Sequence, residues 1–146
     1  MSHKTYYKAA LDQAKKSLSE GGIPIGSVLV KNNQIIGWGH NQRVQKSNPI
    51  LHGEMDCLQN AGRIKDYTDS ILYTTLSPCM MCSGTIVQFK INKVVIGENI
   101  NFEGNIPFLK ENGVQIELLN DNDSIQMMSD FINTNPQLWN EDISEK

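Results

Sequence analysis

The stretch that decides the fold is residues 70–98, SILYTTLSPCMMCSGTIVQFKINKVVIGE. Its first part, SILYTTL, is rich in β-branched and aromatic residues and reads as a strand. Its last part, NKVVIGE, reads as another. Between them, SPCMMCSGTIVQFK offers Ser77 as a candidate cap and Pro78 at the first helical position, a favoured helix start. Strand, helix and strand in succession define an α/β unit, and Cys79 and Cys82 sit where its helix begins.

Working outward toward the N-terminus, PILHGEMDCLQNAGR predicts a short helix ending near Gly62, with Met55, Leu58 and Ala61 on one buried stripe. Before it lies the loop NQRVQKSNP. Two β-rich runs, IPIGSVLV and QIIGWGH, are joined by Lys31-Asn32-Asn33. Adjacent asparagines tolerate positive φ, so the pair reads as a hairpin. Tyr7, Ala10, Leu11, Ala14 and Leu18 recur at helical spacing, and Gly21-Gly22 stops that helix. Toward the C-terminus, a loop with Phe102 and Gly104 precedes a short helical piece near residues 107–112. VQIELLN is a fifth strand, DSIQMMSDFINTNP a helix ending by Pro136, and PQLWNEDISEK a short helix with a tail. Strands interleaved with helices predict a three-layer α/β/α sandwich around a five-stranded sheet, which the hairpin makes mixed.

The 146 residues suit a single domain over 1–146, with a core that needs no disulfides. Thirteen basic against sixteen acidic residues give a net charge of -3, which argues against a polyanionic partner such as nucleic acid. Three cysteines are not a disulfide framework. The start lacks the apolar run of a signal peptide, and no segment has the ~20 apolar residues of a membrane span. The expected setting is a reducing cytosol, and the nucleus as well.

The chemistry is carried by His52, Glu54, Cys79 and Cys82. Both helices follow strand-plus-loop segments, so their N-termini can meet at one end of the sheet. Cysteines at i and i+3 share a helical face, at a dipole end that favours thiolate. With one imidazole they make three ligands, the usual protein share of a catalytic zinc site, which keeps a fourth position open. A metal there lowers the pKa of bound water from about 15.7 toward about 7. Glu54, two residues from His52, is placed to move protons beside it. The plainer readings are a helix cap for His52, a first-turn charge for Glu54 and a redox pair for the two cysteines. Cys57 reads as a buried small hydrophobe, His3 as disordered and His40 as a strand-end structural histidine.

The spacing H-G-E-x23-P-C-x2-C resembles the signature of zinc deaminases. The segments GGIPIGSVL, GHNQRVQKS, LHGE, LYTTLSPCMMCSG, VVIGENINF and PQLWNEDI resemble fungal-type cytosine deaminases of the cytidine-deaminase-like superfamily. That resemblance implies a homodimeric hydrolase with one Zn2+ per subunit, converting cytosine to uracil and ammonia in pyrimidine salvage. It implies His52, Cys79 and Cys82 as ligands and Glu54 as the proton shuttle. It maps substrate contacts to Asn41, the backbone of Gly53, and Asp142. Phe102 and Trp139 match aromatic residues that cover the base, Ile25 and Ser77 match the pocket lining, and a C-terminal segment at about 136–146 covers the site. The implied partner is a small molecule, cytosine or a 5-substituted analogue, with no nucleic acid and no membrane. The residues agree: Asn41 offers a donor and an acceptor, and an ionised Asp142 can take the N1–H that a free base has and a nucleoside lacks. The alternatives are a guanine, cytidine or tRNA adenosine deaminase, a non-catalytic zinc protein, or a thiol redox protein.

Overall fold

In the computed structural model, strands β1 (Gly26–Lys31) and β2 (Gln34–His40) form the expected antiparallel hairpin. Asn32 and Asn33 both take positive φ, 52° and 60°, as a turn matched to strand twist requires. The structure describes residues 3–145; Met1, Ser2 and Lys146, which the sequence reading placed in the same domain, lie outside the described residues. Strand β1 also pairs antiparallel with β3 (Ser70–Thr74). The parallel ladder then runs from β3 to β4 (Lys93–Ile96) and β5 (Gln115–Leu118). The order is β2-β1-β3-β4-β5, a mixed five-stranded sheet.

Seven helices are described: α1 (His3–Ser19), α2 (Arg43–Lys46), α3 (Gly53–Ala61), α4 (Met80–Phe89), α5 (Ile106–Glu111), α6 (Asn122–Thr134) and α7 (Pro136–Asp142). One core packs Cys57 and Leu58 of α3, Ile86 of α4 and Leu109 of α5 against Leu29, Leu72, Val94 and Ile96. On the opposite face, Tyr6, Tyr7, Ala10 and Leu11 of α1 meet Val28, Val30, Tyr73 and Val95, with Met127 of α6 alongside. Alternate residues of β1, β3 and β4 thus feed opposite cores, which makes the three-layer α/β/α sandwich. A third cluster joins Ile23, Ile25 and Leu76 at the sheet end to Met128, Phe131 and Trp139 of α6 and α7. Among the described residues no helix is long and apolar enough to cross a membrane.

Several local expectations need correction. Leu18 is exposed and Ser17 takes the inward place, because the inner face of α1 ends on a polar contact, Ser17 Oγ to the Asn41 carbonyl at 2.8 Å. His3 is not disordered: it opens α1 and hydrogen-bonds the Tyr73 hydroxyl. The loop after β2 contains the single turn α2. On α3 the buried face is Glu54, Asp56, Cys57 and Leu58, while Met55 and Ala61 are only half-buried. Helix α4 starts later than expected, with Cys79 at the cap position. Ser77 Oγ instead donates to the Glu103 carbonyl at 2.8 Å.

Candidate active site

The site forms where the carboxyl ends of the parallel strands open, the usual binding end of such sheets. The turn after β3 brings Leu76, Ser77 and Cys79; the turn into α3 brings His52; β2 hands on to Asn41. His52 and Cys79 occupy the N-cap positions of α3 and α4 in extended backbone (φ -65°, ψ 164° and φ -71°, ψ 179°). An Asp at such a position turns back onto the helix, as Asp121 does at α6 by accepting from the Ser124 N–H. His52 and Cys79 do not cap. They approach each other instead, Cys79 Sγ to His52 Nδ1 at 3.5 Å. The buried Cys82 completes a trio whose ligand atoms all lie within 4.8 Å of one another.

This trio fits zinc. One imidazole and two thiols are a zinc donor set, and 3.5 Å is about the separation of two ligands sharing a tetrahedral ion at bonds of ~2.1 and ~2.3 Å. His52 Nε2 faces away from the sulfur toward Asp142 Oδ1 at 3.5 Å, the outer partner that fixes a ligating histidine's ring.

The charges are strongly coupled. A hydrogen bond from Cys82 holds the Cys79 thiol down to about 4 against burial, with His52 helping. The same bond and burial push Cys82 well up. For His52 burial acts downward, but Cys79 and Asp142 outweigh it and carry the imidazole up to about 9. Glu54 is 4% exposed, and burial, with the Cys79 thiolate, raises it to about 7. Burial also raises Asp142.

A pH dependence of metal uptake follows. At neutral pH the metal-free site carries one thiolate, a protonated His52 and a protonated Cys82. Zinc must displace about two protons, so apparent affinity falls about a hundredfold per pH unit as pH drops from 8 toward 5. Calorimetry in buffers of different ionisation enthalpy measures that release. A pH-independent affinity would contradict it.

A narrow cleft beside the trio is walled by Ile25, Leu76, Ser77, Phe102, Trp139 and Ile143, with His52, Glu54, Cys79 and Asp142 at its polar side. Phe102 and Trp139 meet edge to face, centroids 5.9 Å apart at 88°, a contact worth ~0.5–1.5 kcal/mol beyond burial. Asn41 lies fully buried behind Asp142, donating from Nδ2 to its two carboxylate oxygens at 3.3 and 3.4 Å. Its Oδ1 accepts the Arg43 N–H at 2.9 Å, which sets the orientation of the amide. At Gly53 a Cβ would stand 3.1 Å from the Ile25 carbonyl, so the missing side chain lets α3 start tight against the segment that leads into β1.

The sequence reading missed Leu76, Ile143 and Glu98. Ile143 follows Trp139 by four, which on a helix puts the two on one face. Glu98 is fully buried; its carboxylate accepts the Ile100 and Asn101 N–H groups at 2.9 Å each and so orders the loop that presents Phe102. Among strand-end residues such a carboxylate leaves no periodic signal.

The fold and the donor set define a zinc-binding deaminase. The family model for the cytidine and deoxycytidylate deaminase zinc-binding region matches residues 1–98, and the chain belongs to that family. More particularly, it is 55% identical over 141 residues to a cytosine deaminase of Candida albicans, covering 94% of each chain. A tRNA-specific adenosine deaminase of Buchnera aphidicola is 37% identical over 115 residues, covering 77% of this chain and 76% of the relative. Among solved structures, a guanine deaminase from Nitrosomonas europaea superposes with a TM-score of 0.77 at 16% identity, covering 89% of this chain and 84% of that one. Phe102, Trp139, Asp142 and Ile143 lie beyond residues 1–98, which the family model matches.

Proposed function

We propose that this protein deaminates free cytosine hydrolytically to uracil and ammonia, with zinc held by His52, Cys79 and Cys82 and protons moved by Glu54. The observation that carries the reading is Glu54 itself, a carboxylate raised to about 7 in the same cleft as a zinc-fitting trio. The 55% identical relative named cytosine deaminase, matched over 94% of both chains, supports the choice of substrate.

Bound in the trio, zinc supplies a Lewis acid that makes water nucleophilic at neutral pH. Glu54 would take one proton from the attacking water and deliver it to N3 of the base, which makes C4 more electrophilic as the C4–O bond forms. It would then carry the remaining proton of that oxygen to the C4 amino nitrogen, so that the C4–N bond breaks and ammonia leaves. Asp142 accepts the N1–H of the base. Asn41, with Oδ1 committed to Arg43, holds the Asp142 carboxylate from behind. Phe102 and Trp139 cover the base and exclude water. Ile25 and Ser77 line its edge, and the Gly53 backbone N–H is its remaining polar contact. A nucleoside carries its sugar in place of the N1–H, so it leaves the base-facing acceptor of Asp142 without a donor and is rejected.

The working unit is a single-domain homodimer with one zinc per subunit, acting in pyrimidine salvage in the cytoplasm and nucleus. The exposed Met80 and Phe89 at the two ends of α4 support self-association. The net charge of -3 speaks against a tRNA substrate.

Ammonia release from cytosine, cytidine, guanine and adenosine, measured side by side on the zinc-loaded protein, tests this reading. Cytosine should be turned over and the other three left nearly untouched. Deamination of cytidine at a comparable kcat/KM would remove the role given to Asp142, and a preference for adenosine or guanine would remove the substrate.

A further inference from the structure

Asp56 carries a buried carboxylate that the chemistry above does not use. It is 1% exposed, in the first turn of α3, two residues beyond Glu54 and four beyond His52. It makes no ion pair among the described residues. Its oxygens accept three kinds of donor: the His40 backbone N–H at 3.0 Å, Gln42 Nε2 at 3.3 and 3.4 Å, and Asn60 Nδ2 at 3.4 Å. His40 and Gln42 are the residues immediately before and after Asn41. Asn60, one turn along α3, donates in addition to the Trp38 carbonyl at 2.9 Å. The close approach is prepared on the strand side: a Cβ at Gly39 would fall 2.3 Å from the Cys57 nitrogen and 2.8 Å from an Asp56 oxygen. Only glycine lets the start of α3 press against β2 here.

We infer that Asp56 is a positioning residue that sets the helix bearing His52 and Glu54 in register with Asn41, and through Asn41 with Asp142. Asn41 is otherwise gripped by its own N–H to the Ile25 carbonyl at 2.9 Å and by Ser17 at its carbonyl. Neither contact ties it to α3. Together with the Gln42 N–H to the Leu51 carbonyl at 2.9 Å, the Asp56 bridge links substrate-binding and proton-moving groups on different elements. Burying a carboxylate is costly, and one held by three neutral donors is weak evidence for stability. Its use is geometric, since displacements of about 1 Å at a reacting centre can cost on the order of a hundredfold in rate.

This inference rests on the reading of Asn41 as part of the substrate site, and a double-mutant cycle in zinc-loaded protein separates the two. Asn41→Ala alone should raise KM for cytosine. Asp56→Asn keeps the volume but only one acceptor oxygen; it should raise KM about fivefold with zinc content unchanged, and Asp56→Ala about tenfold. In the Asn41→Ala background the added cost of Asp56→Asn should shrink below about twofold. An equal cost in both backgrounds overturns the inference, as does a loss of zinc or a kcat/KM left unchanged by Asp56→Asn. If Asn41→Ala leaves KM unchanged, the reading of Asn41 itself falls. Asp56→Asn carries the cycle even if the alanine variant fails to fold.

Discussion

Glu54→Gln is expected to lower kcat for cytosine by at least about 10²–10⁴-fold, the usual contribution of a positioned acid–base group, while zinc content stays at that of the wild type. Glutamine fills the same volume but neither takes nor returns a proton. The wild-type carboxyl is raised from 4.5 to about 7, which brings its proton affinity close to working pH. The shift gives a second, independent readout in metal-free protein. A group whose folded pKa is raised stabilises the fold below its unfolded pKa and loses that contribution as pH rises through the folded value. Metal-free wild type should therefore lose stability between about pH 4.5 and 7 at this site, and Glu54→Gln should not. Turnover retained in Glu54→Gln would remove the residue from the mechanism, whatever the melting curves showed.

Cys79→Ala is expected to abolish both metal retention and activity, and to melt at the temperature of metal-free wild type whether or not zinc is added. Cys79 stands at the cap position of α4, Cys82 lies in its first turn and His52 stands at the cap position of α3, so zinc held by the proposed trio would tie together two helices that otherwise meet through apolar packing. Metal that binds only the folded chain adds its binding free energy to stability. Cys79 is also the one ligand already deprotonated before metal arrives, held down to about 4 by its neighbours. Losing it removes the trio's standing negative charge, and it should be the most damaging of the three ligand changes. Calorimetric melting with and without zinc reads this directly. A variant that zinc still stabilised as much as wild type would put the metal elsewhere.

The elements were legible in the sequence because their signals are local. Paired asparagines specified the hairpin, runs of β-branched and aromatic residues the strands, and the H-x-E and P-C-x-x-C spacings the convergence of two helix starts. What was not legible came from packing between distant segments. Ser77 and Pro78 satisfy every local rule for a helix start, yet α4 begins after Cys79, because Ser77 is taken by the loop carbonyl of Glu103. Leu18 continues the spacing of α1, but the inner position belongs to Ser17, which bonds the Asn41 carbonyl. Asp56 drew no reading from the sequence and is buried against the end of β2. In each case a polar group found a partner far along the chain, and no periodicity announces such a partner.

The proposed ligands show how a local reading and a functional one converge. His52 and Cys79 do stand at cap positions, as a helix-cap reading requires. Their side chains leave the helix N–H groups alone and turn toward each other at 3.5 Å.

The most direct measurement is uracil formation from cytosine by metal-depleted protein titrated with zinc. The rate should rise linearly with added zinc and level off at one equivalent per chain, with ammonia appearing in equal amount. Cytosine turnover that is full without metal, or absent at saturating zinc while another base is deaminated, would contradict the account.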